Sequence, residues 1–305
     1  MVKKKKNEEK FLSVFEQQGK KQEIPLSDGS QIRVLSFDPE EKGEEEIEIL
    51  FVAGLMTIFP RWEKVLKPLA KHYKVHYLES REKYTSKLAK KASLTFARMS
   101  EDLPEAISFL ALDKRPYITI SSSVGATIIL EALARKALSP LGSILVGPAT
   151  EMPFPRFVPF LMRFLPPFVI VMLRPFIRWY FRNILVDSAA EPEQARDYVR
   201  ALNEADIRKV RKCIISNFKY EGWAILPKVE NRSLLIGATK DKLHKSSFTL
   251  QVAQAIPNCT FVDLGTNKAA HDLPLAEITR EFIKELMAKG PKVGIDPEGL
   301  TVEDL

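Results

Sequence analysis

The sequence predicts an α/β fold: a mostly parallel central sheet with helices on both faces and one helical insertion. Three observations carry that prediction. Short β-branched and apolar runs at 47–52, 74–78, 117–120, 142–147, 232–237 and 259–264 alternate with stretches whose apolar residues recur at helical intervals. Strands joined through helices lie parallel, and strands covered on both faces read as near-continuous apolar runs. The alternation stops near residue 152 and resumes at Arg232, which marks an insertion between sheet strands. Lastly, the strand at 117–120 gives way to the helical stripe at 127–136 within a few residues, across Ser121-Ser122-Ser123-Val124-Gly125-Ala126.

In chain order, residues 1–22 are charged, beginning with Lys3 to Lys6, and read as a mobile basic tail; a short amphipathic helix through Phe11, Leu12, Val14 and Phe15 is the alternative. A hairpin follows, 23–26 and 31–37 joined at Asp28-Gly29, and then an acidic loop at 40–46. The buried strand 47–52 runs directly into Ala53-Gly54-Leu55-Met56. Residues 62–72 read as a helix, 74–78 as a strand ending at Glu79-Ser80-Arg81, and 93–112 as a helical stripe through Leu94, Phe96, Met99, Leu103 and Ile107. The sheet domain is expected at 23–151 and 223–289, the insertion at 152–222, and a disordered tail at 290–305.

The first half of the insertion is crowded with Phe, Leu, Val and Pro. From Phe154 to Asp187 its charges are all cationic before that aspartate: Arg156, Arg163, Arg174, Arg178 and Arg182. Such a composition suits an acyl-chain tunnel and an anionic membrane surface. The competing reading packs these residues on the core, with the arginines reaching to water.

A side chain at the apex of a strand–turn–helix sits on strained backbone among crowded neighbours. The positions two before, two after and three after it must be small. Around Ser123 those positions are Ser121, Gly125 and Ala126. A serine-rich helix cap is the alternative.

This segment resembles the nucleophile elbow of the α/β-hydrolase superfamily, with Ser121 standing where the pattern G-x-S-x-G usually has its first glycine. The resemblance covers about residues 23 to 288 and implies the α/β-hydrolase fold, with 152–222 as a helical cap. It makes Ser123 the nucleophile. It makes 53–56 the oxyanion turn, where relatives often carry His-Gly; Ala53 replaces the histidine and Gly54 is retained. Leu55, or else Met56, then supplies one backbone N–H and Val124 the other. The loop 238–243 resembles the family's acid loop and points to Asp241, and His271 ends the loop after the last strand. Serine, acid and histidine thus come one after another in the order expected for the fold. Glu79 and Glu151 are competing acids, Asp272 is better placed to cap the last helix, and His72, His76 and His244 lack the loop placement of His271.

The implied activity is that of a serine hydrolase cleaving carboxylic esters, with a lipophilic acyl chain, similar to carboxylesterases and monoacylglycerol lipases. Thioesterase, acyltransferase and carbon–carbon bond hydrolase chemistry stay open, as does a catalytically weak ligand- or lipid-binding protein. Serine rather than aspartate at the apex argues against a dehalogenase or epoxide hydrolase.

Net charge is +7 and the pI is about 9.2; the excess permits peripheral contact with anionic membrane through the cap, while no nucleic-acid partner is expected. No H-E-x-x-H, P-loop, EF-hand or G-x-G-x-x-G sequence occurs, and Cys213 and Cys259 have neither metal nor redox spacing. No metal and no cofactor are expected. The N-terminal lysine run lacks the apolar segment of a secretory signal, and the best apolar candidate, 164–173, is interrupted by Pro166-Pro167. These features predict a cytoplasmic protein, with a membrane-peripheral one as the variant, and leave the oligomeric state open.

Overall fold

The structure, a computed structural model, describes residues 13–41, 47–151, 157–180, 192–240 and 246–289. The strands β1 (Lys20–Pro25), β2 (Gln31–Phe37), β3 (Glu48–Val52), β4 (Lys74–Leu78), β5 (Tyr117–Ser122), β6 (Gly142–Val146), β7 (Ser233–Gly237) and β8 (Cys259–Asp263) form one eight-stranded sheet. Its order is β1-β2-β4-β3-β5-β6-β7-β8. β2 is antiparallel to both β1 and β4, and every other pairing is parallel. The antiparallel start and the parallel body agree with the expected architecture.

Helices lie on both faces, and β3 shows why its sequence is apolar throughout. Ile49 and Phe51 point into one core with α2 (Glu63–Ala70) and α11 (Leu273–Lys289). Leu50 and Val52 point into the other with α3 (Phe96–Phe109), α4 (Ser123–Ala134) and α10 (Ser246–Gln254). Phe51 stacks on Tyr77 at 5.3 Å and meets Trp62 at 4.7 Å. Truncating such a fully buried ring costs about 3–5 kcal/mol. Three polar side chains inside the sheet, Thr119, Ser143 and His76, are paired. Thr119 donates to Ser143 at 2.8 Å and Ser143 to Asn231 at 2.9 Å; His76 lies between Ser36 at 2.8 Å and Glu48 at 2.7 Å. His76 is therefore a core residue.

The N-terminal boundary needs correction. β1 starts at Lys20, and the preceding helix α1 (Val14–Gln18) buries Phe15, which stacks on Phe37 at 4.5 Å and lies 5.8 Å from Phe59. The aromatic contact buries Phe15, and the Lys20↔Ser36 pairing places Lys20 to Gln22 in the edge strand β1, so residues 13–22 belong to the fold rather than to a tail. Residues 1–12 and the tail expected at 290–305 lie outside the described residues, as do Asp241 and His244.

Between β6 and β7 come α5 (Phe157–Phe164), α6 (Pro167–Met172), α7 (Arg174–Tyr180), α8 (Pro192–Glu204) and α9 (Ile207–Asn217). α9 buries Val210, Cys213 and Ile214 and is capped by Asp206, whose carboxylate accepts from the Arg208 and Lys209 N–H groups. Asn217 ties its end to the start of α3, donating to the Leu94 carbonyl and accepting from the Phe96 N–H, each at 2.8 Å. No described helix is long and apolar enough to cross a membrane.

Candidate active site

The strand register brings the segments that carry Leu55, Ser123, Val124 and His271 to one rim. Val52 pairs with Ser121, Ser122 with Val146, Val146 with Ile236, and Gly237 with Asp263, so the carboxyl ends of β3, β5, β6, β7 and β8 finish level. Beyond these ends the chain continues into the Ala53–Leu55 turn, Ser123, the segment after Gly147, the loop carrying Asp241, and the loop ending at His271. In open parallel sheets this is the edge where ligands bind.

Ser123 is the first residue of α4 and adopts φ +49, a left-handed backbone that a non-glycine residue takes only under constraint. The constraint is the packing around it. Ser121 donates to the Val52 carbonyl at 2.5 Å, and a Cβ at Gly125 would meet the Val52 oxygen at 2.7 Å as well as the Ser121 hydroxyl. Thr127 holds the helix from behind, donating to the Ala149 carbonyl at 2.6 Å. Ser121 thus takes an active part in the elbow: its hydroxyl fastens β5 to β3, which a glycine could not do. Val124, the next residue, lies in the first turn of α4, where backbone N–H groups have no partner within the helix.

The Ala53–Met56 segment folds over this elbow. The Thr57 N–H donates to the Gly54 carbonyl at 3.1 Å, closing a tight turn with Met56 at φ +56. Gly54 is required by close approach. A Cβ there would stand 2.8 Å from the Ser122 carbonyl oxygen and 3.1 Å from the Thr57 hydroxyl. Leu55 and Val124 are therefore carried by two backbone segments packed directly on each other.

His271 ends a single 3₁₀ turn (Ala269–His271) beyond β8. Its Nδ1 faces the Asn267 carbonyl at 2.8 Å. A carbonyl only accepts, so Nδ1 carries the proton and Nε2 is the basic nitrogen. The ring packs on the fully buried Trp62, centroids 4.4 Å apart, which brings it beside the segment after the Gly54 turn. The side chain of Asp272 accepts from the Leu273 N–H at 2.8 Å and caps α11. Asp241 lies outside the described residues, but both ends of its loop are held by Asp263. That carboxylate accepts from the Thr239 N–H at 3.0 Å, the Thr239 hydroxyl at 2.6 Å and the Gly265 N–H at 2.7 Å, and also from the Ser246 hydroxyl. Burial alone would raise the Asp263 pKa, but these donors bring it below the ordinary carboxylate value.

The loop after β4 holds Glu79, one of the competing acids, together with Arg81 and Lys83, to which the sequence reading gave no role. Glu79 is bound by the Arg33 guanidinium through two bonds of 2.8 and 2.6 Å and by Thr85, which makes it a structural acid. Arg81 is fully buried and reaches Asp28 at 2.5 Å and Asp102 at 2.7 Å. Burial would raise the Asp28 pKa, yet Arg81 and the Ser30 N–H bring it down to about 2. Lys83, also buried, donates to the Gly54 carbonyl at 2.5 Å. The available signal was a run of five polar residues, Glu79 to Lys83, immediately after a buried strand. A cleft open to solvent runs past Met56, Lys83 and Ala201, and neither Ser123 nor His271 lines it. Among the described residues, no group of His, Cys, Asp or Glu could hold a metal ion.

The sheet order, the level rim and the elbow define the α/β-hydrolase fold, and the chain adopts it. Solved structures that share it include a hydrolase from Pseudomonas aeruginosa PA01, with a TM-score of 0.69, 15% identity, and 88% of this chain and 98% of that one covered. A thermophilic esterase from Thermogutta terrifontis superposes with a TM-score of 0.66 at 18% identity over 88% of this chain and 99% of its own. The enol-lactonase from Burkholderia xenovorans LB400 gives 0.66 at 16% identity, covering 88% of this chain and all (100%) of that one. No family profile matches the sequence, and no curated protein matches it.

Proposed function

We propose that the chain is a serine hydrolase acting on carboxylic esters, with Ser123, His271 and Asp241 as its triad and the Leu55 and Val124 N–H groups as its oxyanion hole. The observation that carries this reading is the left-handed Ser123 at the head of α4, with the Gly54 turn packed on its elbow. His271 Nε2 takes the Ser123 proton as the hydroxyl oxygen attacks the acyl carbonyl. The two N–H groups receive the charge that builds on the carbonyl oxygen, each worth about 2.7–4 kcal/mol in hydrolases where one donor has been removed. His271 then protonates the departing alcohol, and water, activated the same way, releases the acid. Asp241 stabilises the imidazolium from the loop that Asp263 holds.

Turnover of p-nitrophenyl esters from acetate to palmitate by wild type and Ser123→Ala, with fluorophosphonate labelling, tests this. Loss of both in the variant is expected. A folded wild type that neither turns over nor labels would shift the assignment to a ligand-binding protein of the same fold. Activity confined to thioesters or to an acceptor alcohol would make it a thioesterase or acyltransferase.

A lipophilic substrate met at an anionic membrane is favoured by the helices between β6 and β7, read as the cap. Phe160, Phe164, Phe168, Met172 and Phe176 are each more than 60% exposed, and the cations Arg163, Arg174 and Arg178 lie among them without an acidic residue between 157 and 180. The protein is then a cytoplasmic one that binds membranes peripherally. Co-sedimentation with phosphatidylserine-containing vesicles at low salt, absent with neutral vesicles, is the expected result.

A further inference from the structure

Lys83 is buried with its ammonium in a place that the triad does not explain. Its side chain is 9% exposed, and its Nζ lies 2.5 Å from the Gly54 carbonyl oxygen and 2.8 Å from Glu82 Oε1. The other oxygen of Glu82 accepts from Ser80 at 2.5 Å, and the Ser80 hydroxyl also lies 3.3 Å from the Ala53 carbonyl. A buried cation carries a desolvation cost and needs such partners.

The Gly54 carbonyl and the Leu55 N–H are the two ends of one peptide group, trans and planar, and point in opposite directions. A cation bound to the oxygen therefore sets the direction of the N–H. It also draws electron density toward the oxygen, which makes the N–H a stronger donor. Gly54 has no Cβ to restrict its backbone, so this orientation is not imposed by the residue itself. It comes from two donors to the same oxygen, the Thr57 N–H across the turn and the Lys83 ammonium from the next loop.

We propose that Lys83 is a positioning residue for the oxyanion hole, holding and polarising the Gly54–Leu55 peptide so that its N–H meets the developing oxyanion. This rests on the serine-hydrolase assignment and deepens it. The loop carrying Lys83 is itself rigid. Arg81 anchors it to Asp28 and Asp102, and Arg33 holds Glu79. From α9, Lys209 donates to the Lys83 carbonyl at 2.7 Å and the Ser86 carbonyl at 2.6 Å. α9 is thereby tied to the loop that steadies the oxyanion turn.

The test is a series at one position, Lys83→Arg, Lys83→Gln and Lys83→Met, measured beside Ser123→Ala on one p-nitrophenyl ester. Readouts are kcat, KM, melting temperature and the inhibition constant of an alkyl boronic acid, which forms a tetrahedral adduct with the serine. Arg keeps a charged donor, Gln a neutral one, and Met neither. The expected order of kcat is Lys, Arg, Gln, Met, with Met lower by about 10- to 100-fold and KM within about threefold. Boronate affinity should fall in parallel with kcat/KM. If Met does not fold, the Arg and Gln pair decides. Gln with wild-type kcat overturns the proposal. So does a loss of kcat that tracks melting temperature alone while boronate affinity is unchanged, since that marks a purely structural lysine. An inactive, unlabelled wild type, or an active Ser123→Ala, overturns the underlying assignment instead, and is read from those two proteins alone.

Discussion

Gly54→Ala tests the site through one methyl group. Its Cβ would stand 2.8 Å from the Ser122 carbonyl oxygen, a backbone atom that cannot rotate away, and 3.1 Å from the Thr57 hydroxyl. To reach ordinary contact near 3.4 Å the turn must retreat by about 0.6 Å. The Leu55 N–H retreats with it, and a donor that met the oxyanion at about 2.9 Å is left near 3.5 Å, where a hydrogen bond is largely lost. Removing one oxyanion donor costs about 10²–10³ in kcat; a displaced donor belongs at the lower end, so a fall of about 100-fold is expected. KM should move less than about threefold, because the interaction forms only as the oxyanion develops. Overpacking costs about 1–3 kcal/mol, partly offset by the smaller unfolded-state entropy of alanine, so the melting temperature drops by only a few degrees. Steady-state kinetics on a p-nitrophenyl ester, with a thermal melt on the same sample, reads both. A kcat within twofold of wild type would sink the reasoning, since the turn would then not carry the donor.

The same geometry sets three further outcomes. Asp28, lowered to about 2 by Arg81 and the Ser30 N–H from an unfolded value near 3.8, contributes stability that is complete above pH 4 and lost as pH falls from there toward 2. Discounted for its partial exposure the contribution is about 1–2 kcal/mol, and Asp28→Asn should flatten the acid limb of an unfolding series by that amount. Asp263→Asn, which replaces the charged acceptor of the Thr239 and Ser246 hydroxyls, should cost about 1–3 kcal/mol in a denaturant melt and lower kcat as the Asp241 loop loosens. Trp62→Phe opens space beside His271 and should reduce kcat by about tenfold, with a lower melting temperature; an unchanged kcat would mean that the indole does not hold the base.

Much of this arrangement is legible in the residues. The strand periods, the glycine after β3 and the small residues around Ser123 are local features, and each is found where the pattern predicts it. Legibility fails where a residue's role depends on a distant partner. Phe15 looks like part of a charged tail until Phe37 and Phe59 offer it an aromatic surface. Glu79 looks like a candidate acid until Arg33 binds it from a strand 46 residues earlier. Ser121 looks like a substitute for glycine, whereas its hydroxyl bonds the neighbouring strand.

Hydrophobic period and chain order determine the layers of this protein, because whether a side chain faces a core depends on its neighbours two, three and four positions away. The same local rules mark the elbow, because the small residues it needs all lie within three positions of Ser123. Only the tertiary structure decides which partner each buried charge takes. Arg81 chooses Asp28 and Asp102, and Lys83 chooses the Gly54 carbonyl 29 residues before it. A charge is held by whatever oxygen lies within 3 Å in space, and the sheet, by bringing β3 and β4 side by side, supplies that proximity where the sequence carries no mark of it.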